Sequence, residues 1–300
     1  MYPATIAILY TLIAQAPAEP RQGRAAQTDQ TVPVTRGSRL AVENYAGEVV
    51  IRAWDKDAVR VQARHNSRTK VDIHTDANIV SIGTSSSSKS NGSIDYEIMT
   101  PGWMSMKIEG QYDFVTVEGV QGEVSVTTVR GDIVLKNVGS VTAKTIEGAI
   151  EVDGARGKIA LSSVNEDIKV AGSSGDLSAD STNGSIVLAR IESTNVEITT
   201  VNGDITYEGQ LAAKAHVAFS THGGDITMTV PDSANATFNV RTYSGEFVTS
   251  VAVKGPDAAS VRRGKRVTYT LGNGSAEVEL ESFGGDIRLR RGVTSRSGRE

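Results

Sequence analysis

The sequence from Gly122 to Ile226 repeats itself about every nine residues, and no other feature constrains the fold as strongly. In one series, a glycine or an acidic residue is followed by a small or acidic residue and then isoleucine, in steps of 17, 18, 18, 19 and 21 residues. Its members are Gly131-Asp132-Ile133, Gly148-Ala149-Ile150, Glu166-Asp167-Ile168, Gly184-Ser185-Ile186, Gly203-Asp204-Ile205 and Gly224-Asp225-Ile226. A second series, which begins at Gly122-Glu123-Val124, lies halfway between them. Self-similarity at such a fixed period is typical of a solenoid, in which each repeat stacks on the one before.

Each repeat also alternates apolar and polar residues, as at Ile133/Leu135 and Ile150/Val152, with mostly Thr, Ser, Lys, Glu and Asp between them. A period of two predicts a β-strand with one buried face. One such strand cannot bury its face alone, but stacked coils close a continuous core. We therefore predict an all-β fold, a single-stranded right-handed parallel β-solenoid (β-helix) with about 18 residues per coil.

An antiparallel sandwich or barrel would also place a turn every 8–12 residues. The same Gly-x-aliphatic sequence, however, enters every strand from the same side, which favours parallel stacking. A left-handed helix of hexapeptides would need a period of six, which is absent. The strong preference for right-handed crossovers favours the right-handed form.

The composition limits the chemistry that the chain can perform. The 300 residues contain no cysteine, so disulfides, thiol catalysis and cysteine metal sites are excluded. The formal net charge of −4 argues against nucleic acid as the principal partner. Aromatic residues make up only 5% of the chain, which fits a narrow aliphatic core.

The sequence divides into four segments. Residues 1–16 are predicted to be a signal peptide, because a short apolar run precedes the small-x-small site Ala14-Gln15-Ala16. Residues 17–36, rich in Pro, Gln, Ala and Arg, are predicted to be a flexible linker. Residues 37–291 are predicted to form the β-solenoid domain, and residues 292–300 a disordered polar tail. We expect an exported protein, periplasmic or extracellular, with no membrane span after cleavage.

Two features near the N-terminal end of the domain are interpreted structurally. We predict that Trp54 caps the solenoid end, because an open coil exposes unpaired strand edges. The serine-rich run from Thr84 to Ser93 is predicted to be an exposed loop.

The N-terminal part of the domain carries the most specific pattern, Val42-Glu43-Asn44-x-x-Gly47-x-Val49-x-Ile51-x-x-Trp54-Asp55-x-Asp57-x-Val59-x-Val61. With the Gly-Asp-Ile repeats and the closing Gly285-Asp286-Ile287, it resembles a bacterial family of β-strand-repeat proteins of unknown function that carry the provisional label of adhesins. The resemblance covers roughly residues 36–290. It implies a single-stranded right-handed β-helix, export from the cytoplasm and no established reaction, so no functional residue is carried over.

The turn aspartates are the first candidates for a site. Asp204 and Asp225 lie in consecutive coils and could approach closely enough to hold a hard cation, which makes them a weak candidate metal pair. The alternative is that an Asp after Gly satisfies turn backbone donors. No other metal site, no cofactor and no catalytic residue is predicted.

The histidines and a basic cluster give weaker evidence for a functional site. The histidines His65, His74, His216 and His222 lack the spacing of a zinc site, and His222 is expected to be a solvated turn residue. The basic cluster Arg262, Arg263, Lys265 and Arg266 is expected to be a solvated loop, with contact to an anionic surface as the alternative.

Three classes of function remain open. The first is a non-catalytic protein that binds, adheres or scaffolds at the cell envelope, with a cell-surface glycan or another envelope protein as partner. The second is an envelope-stress sensing or regulatory module. The third is a polysaccharide-active enzyme of the right-handed β-helix type. Along the regular coils the only aromatic residues are Tyr207 and Phe219, both at core positions, and acid–base pairs are absent except for Asp204/Asp225. A binding or structural role is therefore predicted, and enzyme activity is not.

Overall fold

A computed structural model describes residues 28–66, 69–84, 92–231, 233–256 and 264–292. These residues form β-strands and turns, with no helix among them, so none of their segments meets the length and apolarity that a membrane-crossing helix needs. The predicted signal peptide, most of the serine-rich run, Arg262 and Arg263 of the basic cluster, and residues 293–300 of the predicted tail lie outside the described residues.

The N-terminal third contains seven strands of unequal length: β1 (Thr28–Pro33), β2 (Arg39–Trp54), β3 (Ala58–Arg64), β4 (Val71–Asp76), β5 (Ile79–Thr84), β6 (Asp95–Pro101) and β7 (Ser105–Glu118). Two of them, β2 and β7, are long enough to contribute to both sides of the solenoid, and they pair in parallel along almost their whole length.

The middle of the chain forms short strands at regular intervals: β8 (Val124–Thr127), β9 (Ile133–Lys136), β10 (Val141–Lys144), β11 (Ile150–Asp153), β12 (Ile159–Ser163), β13 (Ile168–Ala171), β14 (Leu177–Ser181), β15 (Ile186–Ile191), β16 (Asn195–Thr200), β17 (Ile205–Gly209), β18 (His216–Thr221) and β19 (Ile226–Val230). The even-numbered strands stack in parallel on the start of β7 as ladder A. The odd-numbered strands stack in parallel on its end as ladder B. Two ladders, and hence two strands per coil, explain the doubled nine-residue period.

The parallel register confirms the predicted all-β solenoid and excludes the antiparallel sandwich. Ile150 lies beside Ile168, which lies beside Ile186, so each aliphatic residue stacks on its equivalent one coil away. These side chains are buried between the two ladders, and the residues between them face outward. Tyr207 and Phe219 are buried as well, as predicted, with ring centroids 5.7 Å apart.

The C-terminal part departs from sequence order. Its strands are β20 (Ala236–Thr242), β21 (Phe247–Thr249), β22 (Val267–Leu271), β23 (Ala276–Ser282) and β24 (Ile287–Arg291). The last coil in sequence, β23 and β24, lies between the coil of β18 and β19 and the coil of β20 and β21. After Asn235 the chain skips one rung to form β20 and β21, and it then returns beside Asn235, where the Ala276 N–H donates to the Asn235 carbonyl at 3.0 Å. Residues 236–275 therefore cap the solenoid, and β22 closes ladder A in the antiparallel direction.

The N-terminal end has the same arrangement. The first long strand, β2, pairs on one side with β7 and on the other with β5 and β6. Outside these strands, β3 is antiparallel to β6 and β4 is antiparallel to β5. The segment between β2 and β7 is thus a second cap. The coil that comes first in the sequence and the coil that comes last are therefore each covered by a cap. The cap keeps their backbone N–H and C=O groups from pairing with another chain.

Two sequence expectations are corrected at this end. The linker predicted for residues 17–36 is wrong for residues 28–33, because β1 pairs antiparallel with β3 and Arg60 binds Asp29 at 2.6 Å. Pro33 fits there because it ends an edge strand. Trp54 is not the end cap: its indole N–H donates to the Ala58 carbonyl at 2.8 Å, so it closes the bend between β2 and β3.

The coil period can be tested by deletion. Removing Gly148–Asn165 takes out one strand of each ladder and joins Glu147 to Glu166 in the same register. Removing Gly148–Arg156 deletes only β11, so that β10 is followed directly by β12. Both strands belong to ladder A, and the half-coil that should lie between them is missing. We expect the first variant to melt cooperatively and the second to lose most of its stability, as measured by circular dichroism during heating. Equal losses would contradict the assigned coil.

Candidate functional site

The turns that lead from a ladder A strand to the next ladder B strand, called AB turns here, carry most of the sequence candidates. Each regular AB turn begins with a buried Ser or Thr. Three positions later stands a glycine, replaced by Glu166 in one turn, and the small or acidic residue of the repeat follows it. Thr221, Gly224 and Asp225 occupy these positions in one turn, and Thr200, Gly203 and Asp204 in the turn before it.

The buried hydroxyls join neighbouring coils. Thr221 Oγ1 accepts from the Gly224 N–H at 3.1 Å and donates to the Gly203 carbonyl of the preceding coil at 3.0 Å. Thr200, Ser282 and Thr242 each make the same two bonds. A Cβ at Gly203 would meet the Gly184 carbonyl oxygen at 2.0 Å, so the close approach of the backbones requires glycine.

The turn carboxylates also bond to the next coil. Asp132 Oδ1 accepts from the Ala149 N–H at 2.9 Å, and Asp167 Oδ1 accepts from the Ser185 N–H at 2.9 Å. Asp204 Oδ1 accepts from the Asp225 N–H at 2.8 Å. These bonds match the structural alternative, in which the turn aspartates satisfy backbone donors.

The weak candidate pair Asp204 and Asp225 is brought together, but both side chains have other partners. Asp225 Oδ1 accepts from the Asp286 N–H at 2.7 Å, and Asp225 Oδ2 binds the Arg288 guanidinium, which also binds Asp286 at 2.6 Å. Burial opposes ionisation of Asp225, but Arg288 and the Asp286 N–H outweigh it and hold the pKa of Asp225 below its usual range. The pair is therefore part of the coil-to-coil bonding. In the described part of the chain, no three His, Asp or Glu side chains are grouped closely enough to hold a metal ion.

The histidines are not grouped. His65 contacts Thr28 Oγ1 at 3.0 Å, His74 is exposed on β4, and His216 lies 3.9 Å from Glu277. His222 is exposed in its turn, as expected, but its ring also stacks on Phe283 with centroids 4.6 Å apart. The sequence could not indicate this stack, because Phe283 belongs to the inserted last coil.

In the basic cluster, Arg266 pairs with Glu279 at 3.2 Å. Its guanidinium is therefore held to the ladder A face and is not a freely solvated charge.

A groove with a volume of about 420 Å³ lies on the opposite edge of the solenoid. Its walls include Glu192, Glu208, Gln210, Thr229 and Pro231. Neither carboxylate was singled out from the sequence, because Glu192, just after β15, and Glu208 on β17 meet only when the coils stack.

A buried polar cluster in the first coils was also missed. In the AB turn of β7, Asp113 occupies the position that Gly131 has in the next turn, since Tyr112 pairs with Arg130. Its fully buried carboxylate accepts from Asn44 Nδ2 at 2.7 Å, while Asp113 Oδ2 and Asn44 Oδ1 have no hydrogen-bond partner. A Cβ at Gly110 would meet Asp113 Oδ2 at 2.3 Å, so glycine stands where the other turns carry a hydroxyl.

This cluster makes stability depend on pH. Burial raises the pKa of Asp113 to about 6 from an ordinary value of 3.8, against the opposing hydrogen bonds from Asn44 and Gln111. The folded protein therefore keeps the proton that the unfolded chain loses, so stability falls as the pH rises from about 4 to about 6 and then stays level. A difference of two pKa units corresponds to about 3 kcal/mol.

We expect Asp113→Asn to remove this pH dependence and to raise the free energy of unfolding at pH 7. Urea unfolding between pH 4 and 8 measures it, with the exposed Asp153→Asn as control. A pH profile unchanged by Asp113→Asn would contradict the assignment.

The chain is similar to several solved structures and matches one sequence family. No curated protein matches the chain. A candidate adhesin of Bacteroides fragilis is 13% identical, with a TM-score of 0.40, over 87% of this chain and 96% of its own. A candidate adhesin of Parabacteroides merdae is 8% identical, with a TM-score of 0.39, over 89% and 96%. A candidate cell adhesion protein of Clostridium sporogenes is 10% identical, with a TM-score of 0.23, over 88% and 100%.

The family model described as Toastrack DUF4097 matches residues 38–290, from the start of β2 almost to the end of β24. This match covers most of the sequence and both ladders of the solenoid. The chain therefore belongs to the Toastrack DUF4097 family.

Proposed function

We propose that this protein is an exported, non-catalytic component of the bacterial cell envelope that binds or scaffolds in the manner of an adhesin. One observation carries the proposal: the charged groups repeated along the AB turns are bonded to the neighbouring coil. A catalytic group needs preorganised charge aimed at the reacting atoms in a water-poor cleft. Here the carboxylates of Asp132, Asp167 and Asp204 accept backbone N–H groups instead.

The outward face of ladder A is the surface that we assign to binding. Its middle carries Ser and Thr side chains at outward positions, including Ser125, Thr142, Ser162, Ser178 and Ser220, beside the charged residues Lys144, Asp180 and Glu197. Equivalent positions repeat about every 4.8 Å along the solenoid axis. Such a flat array suits many weak, simultaneous contacts with an extended partner, a cell-surface glycan or another envelope protein.

The binding face can be distinguished from its opposite by matched variants. Thr142→Glu/Ser178→Glu places charge on ladder A, and Thr206→Glu/Thr227→Glu places it on ladder B. With insoluble envelope polysaccharides as probe, we expect retention of the wild type and of the ladder B variant, and loss of the ladder A variant by about tenfold. Equal retention of all three would contradict the assignment of the face.

The same polysaccharides test the catalytic alternative. Glu192 and Glu208 line the groove on the edge opposite the AB turns, and two carboxylates are what glycoside cleavage requires. The proposal expects no reducing ends to appear, with or without calcium. Cleavage that is lost in Glu192→Gln/Glu208→Gln would overturn it. Cleavage lost only in Asp204→Ala/Asp225→Ala would assign the reaction to the turn aspartates.

Export can be tested separately. The apolar run before Ala14-Gln15-Ala16 supports cleavage after Ala16. N-terminal sequencing of the protein from its native envelope should then begin at Pro17. An intact N-terminus in the cytosolic fraction would contradict export without affecting the assignment of the binding face.

A further inference from the structure

The large apolar side chains that the described residues leave exposed are concentrated on one edge of the solenoid. Seven of the nine lie in or beside AB turns: Tyr45, Tyr112, Phe114, Val129, Ile146, Val201 and Phe283. The other two, Ile79 and Val248, lie on β5 and β21. A concentration of exposed apolar side chains on one edge marks a candidate interaction surface.

The second residues of the AB turns form a continuous row, which we call the turn ridge. The Glu147 N–H donates to the Val129 carbonyl at 2.8 Å, and the Gly223 N–H donates to the Val201 carbonyl at 2.7 Å, so backbone bonds fix the stacking. In spatial order the ridge is Tyr45, Gln111, Val129, Ile146, Val164, Thr182, Val201, His222, Phe283 and Tyr243. Ten rungs at about 4.8 Å make it about 43 Å long.

The neighbouring row, formed by the third residue of each AB turn, changes in bulk along the ridge. The end near the N-terminal cap carries Tyr112 and the Arg130–Glu147 pair, whose charged atoms are 2.5 Å apart. The middle carries an asparagine ladder, Asn165, Asn183 and Asn202, linked by side-chain bonds of 2.9 and 2.8 Å. The end near the C-terminal cap carries Gly223 and Gly284. The row is therefore bulky at Tyr112 and Arg130 and open at Gly223 and Gly284.

We propose that the turn ridge binds the turn ridge of a second copy of this chain, antiparallel, about a two-fold axis between Val164 and Thr182. That axis places Tyr112 of each copy over Gly284 of the other and Arg130 over Gly223. Each large side chain of one copy thus faces a glycine of the other, and the two-fold axis repeats both contacts, as a self-complementary interface requires. In the parallel alternative the two-fold axis runs along the ridge and places the two neighbouring rows on opposite sides, so Tyr112 no longer faces Gly284 and Arg130 no longer faces Gly223.

Two apolar pairs meet in the same arrangement, whereas Val129 faces His222 and Phe283 faces Gln111. Ile146 of one copy faces Val201 of the other, and Tyr45 faces Tyr243. The ridge and its neighbouring row together are roughly 10 Å wide, which gives a footprint of about 400 Å² per copy. This is about half of the roughly 800 Å² per partner in a standard interface, so we expect a weak, transient dimer.

The pairing goes beyond the proposed function and has a consequence for it. The ridge lies on the edge of the solenoid, so the outward faces of both ladders stay uncovered in the dimer. Two copies held together present twice the number of weak contacts to an extended partner, which raises avidity without any new contact.

Cysteine cross-linking tests the antiparallel register directly, because the chain contains no cysteine of its own. Ile146→Cys and Val201→Cys proteins, carrying tags of different size, are mixed and oxidised. We expect the mixed disulfide to dominate, since equal positions lie three rungs apart, about 14 Å. Predominant Ile146→Cys homodimers would overturn the register. Val248→Cys, exposed on β21, is the control and should stay uncross-linked.

Sedimentation equilibrium tests the surface itself and needs no ligand, so its outcome is independent of the binding proposal. The wild type should show a concentration-dependent monomer–dimer equilibrium. Ile146→Lys should weaken it at least tenfold, and Val248→Lys, a matched exposed position off the ridge, should leave it unchanged; circular dichroism confirms that both variants fold. A wild type that stays monomeric to millimolar concentration, or a dimer that Ile146→Lys leaves intact, would overturn the proposal.

Discussion

The hydrogen bonds between consecutive AB turns are the interaction on which the rest of this structure depends. A strand of four or five residues cannot bury its apolar face alone, and each coil supplies only two of them. Buried hydroxyls such as Thr221 pair the N–H of their own turn with the carbonyl of the previous turn, and Asp204 binds the next turn in the same way. These bonds set the register, and the register aligns the ladder faces and the turn ridge.

A solenoid built from such bonds has two open ends, and the order of the strands closes both. The first and last coils in sequence each lie one position inside the outermost coil, beneath a cap formed by residues adjacent to them in sequence. Each terminal coil is therefore bonded on both sides, and fraying it requires breaking two sets of ladder bonds. The same order limits growth of the solenoid by strand pairing at its ends.

Much of this fold could be predicted from the sequence, because period, alternation and turn glycines are local signals. The buried positions of Tyr207 and Phe219 and the structural role of the turn aspartates followed from them. The insertion of β23 beside β18 could not be predicted. The strands that begin at Ala236 (β20) and at Ala276 (β23) have similar alternating patterns, so either could stack on β18. The contacts of His222 with Phe283 and of Arg288 with Asp225 depend on that insertion and were missed for the same reason. Asp113 was overlooked because it breaks the repeat where other turns carry glycine.

The central claim is that the buried turn hydroxyls hold neighbouring coils together. The free energy of unfolding of Thr221→Val, measured by urea denaturation against Thr227→Val on the outward face of β19, tests it most directly. The first change keeps the shape of the side chain but leaves the Gly203 carbonyl and the Gly224 N–H without their partner, and it should cost about 1–3 kcal/mol. The second should cost less than about 0.5 kcal/mol. Equal and small losses for both variants would contradict the account.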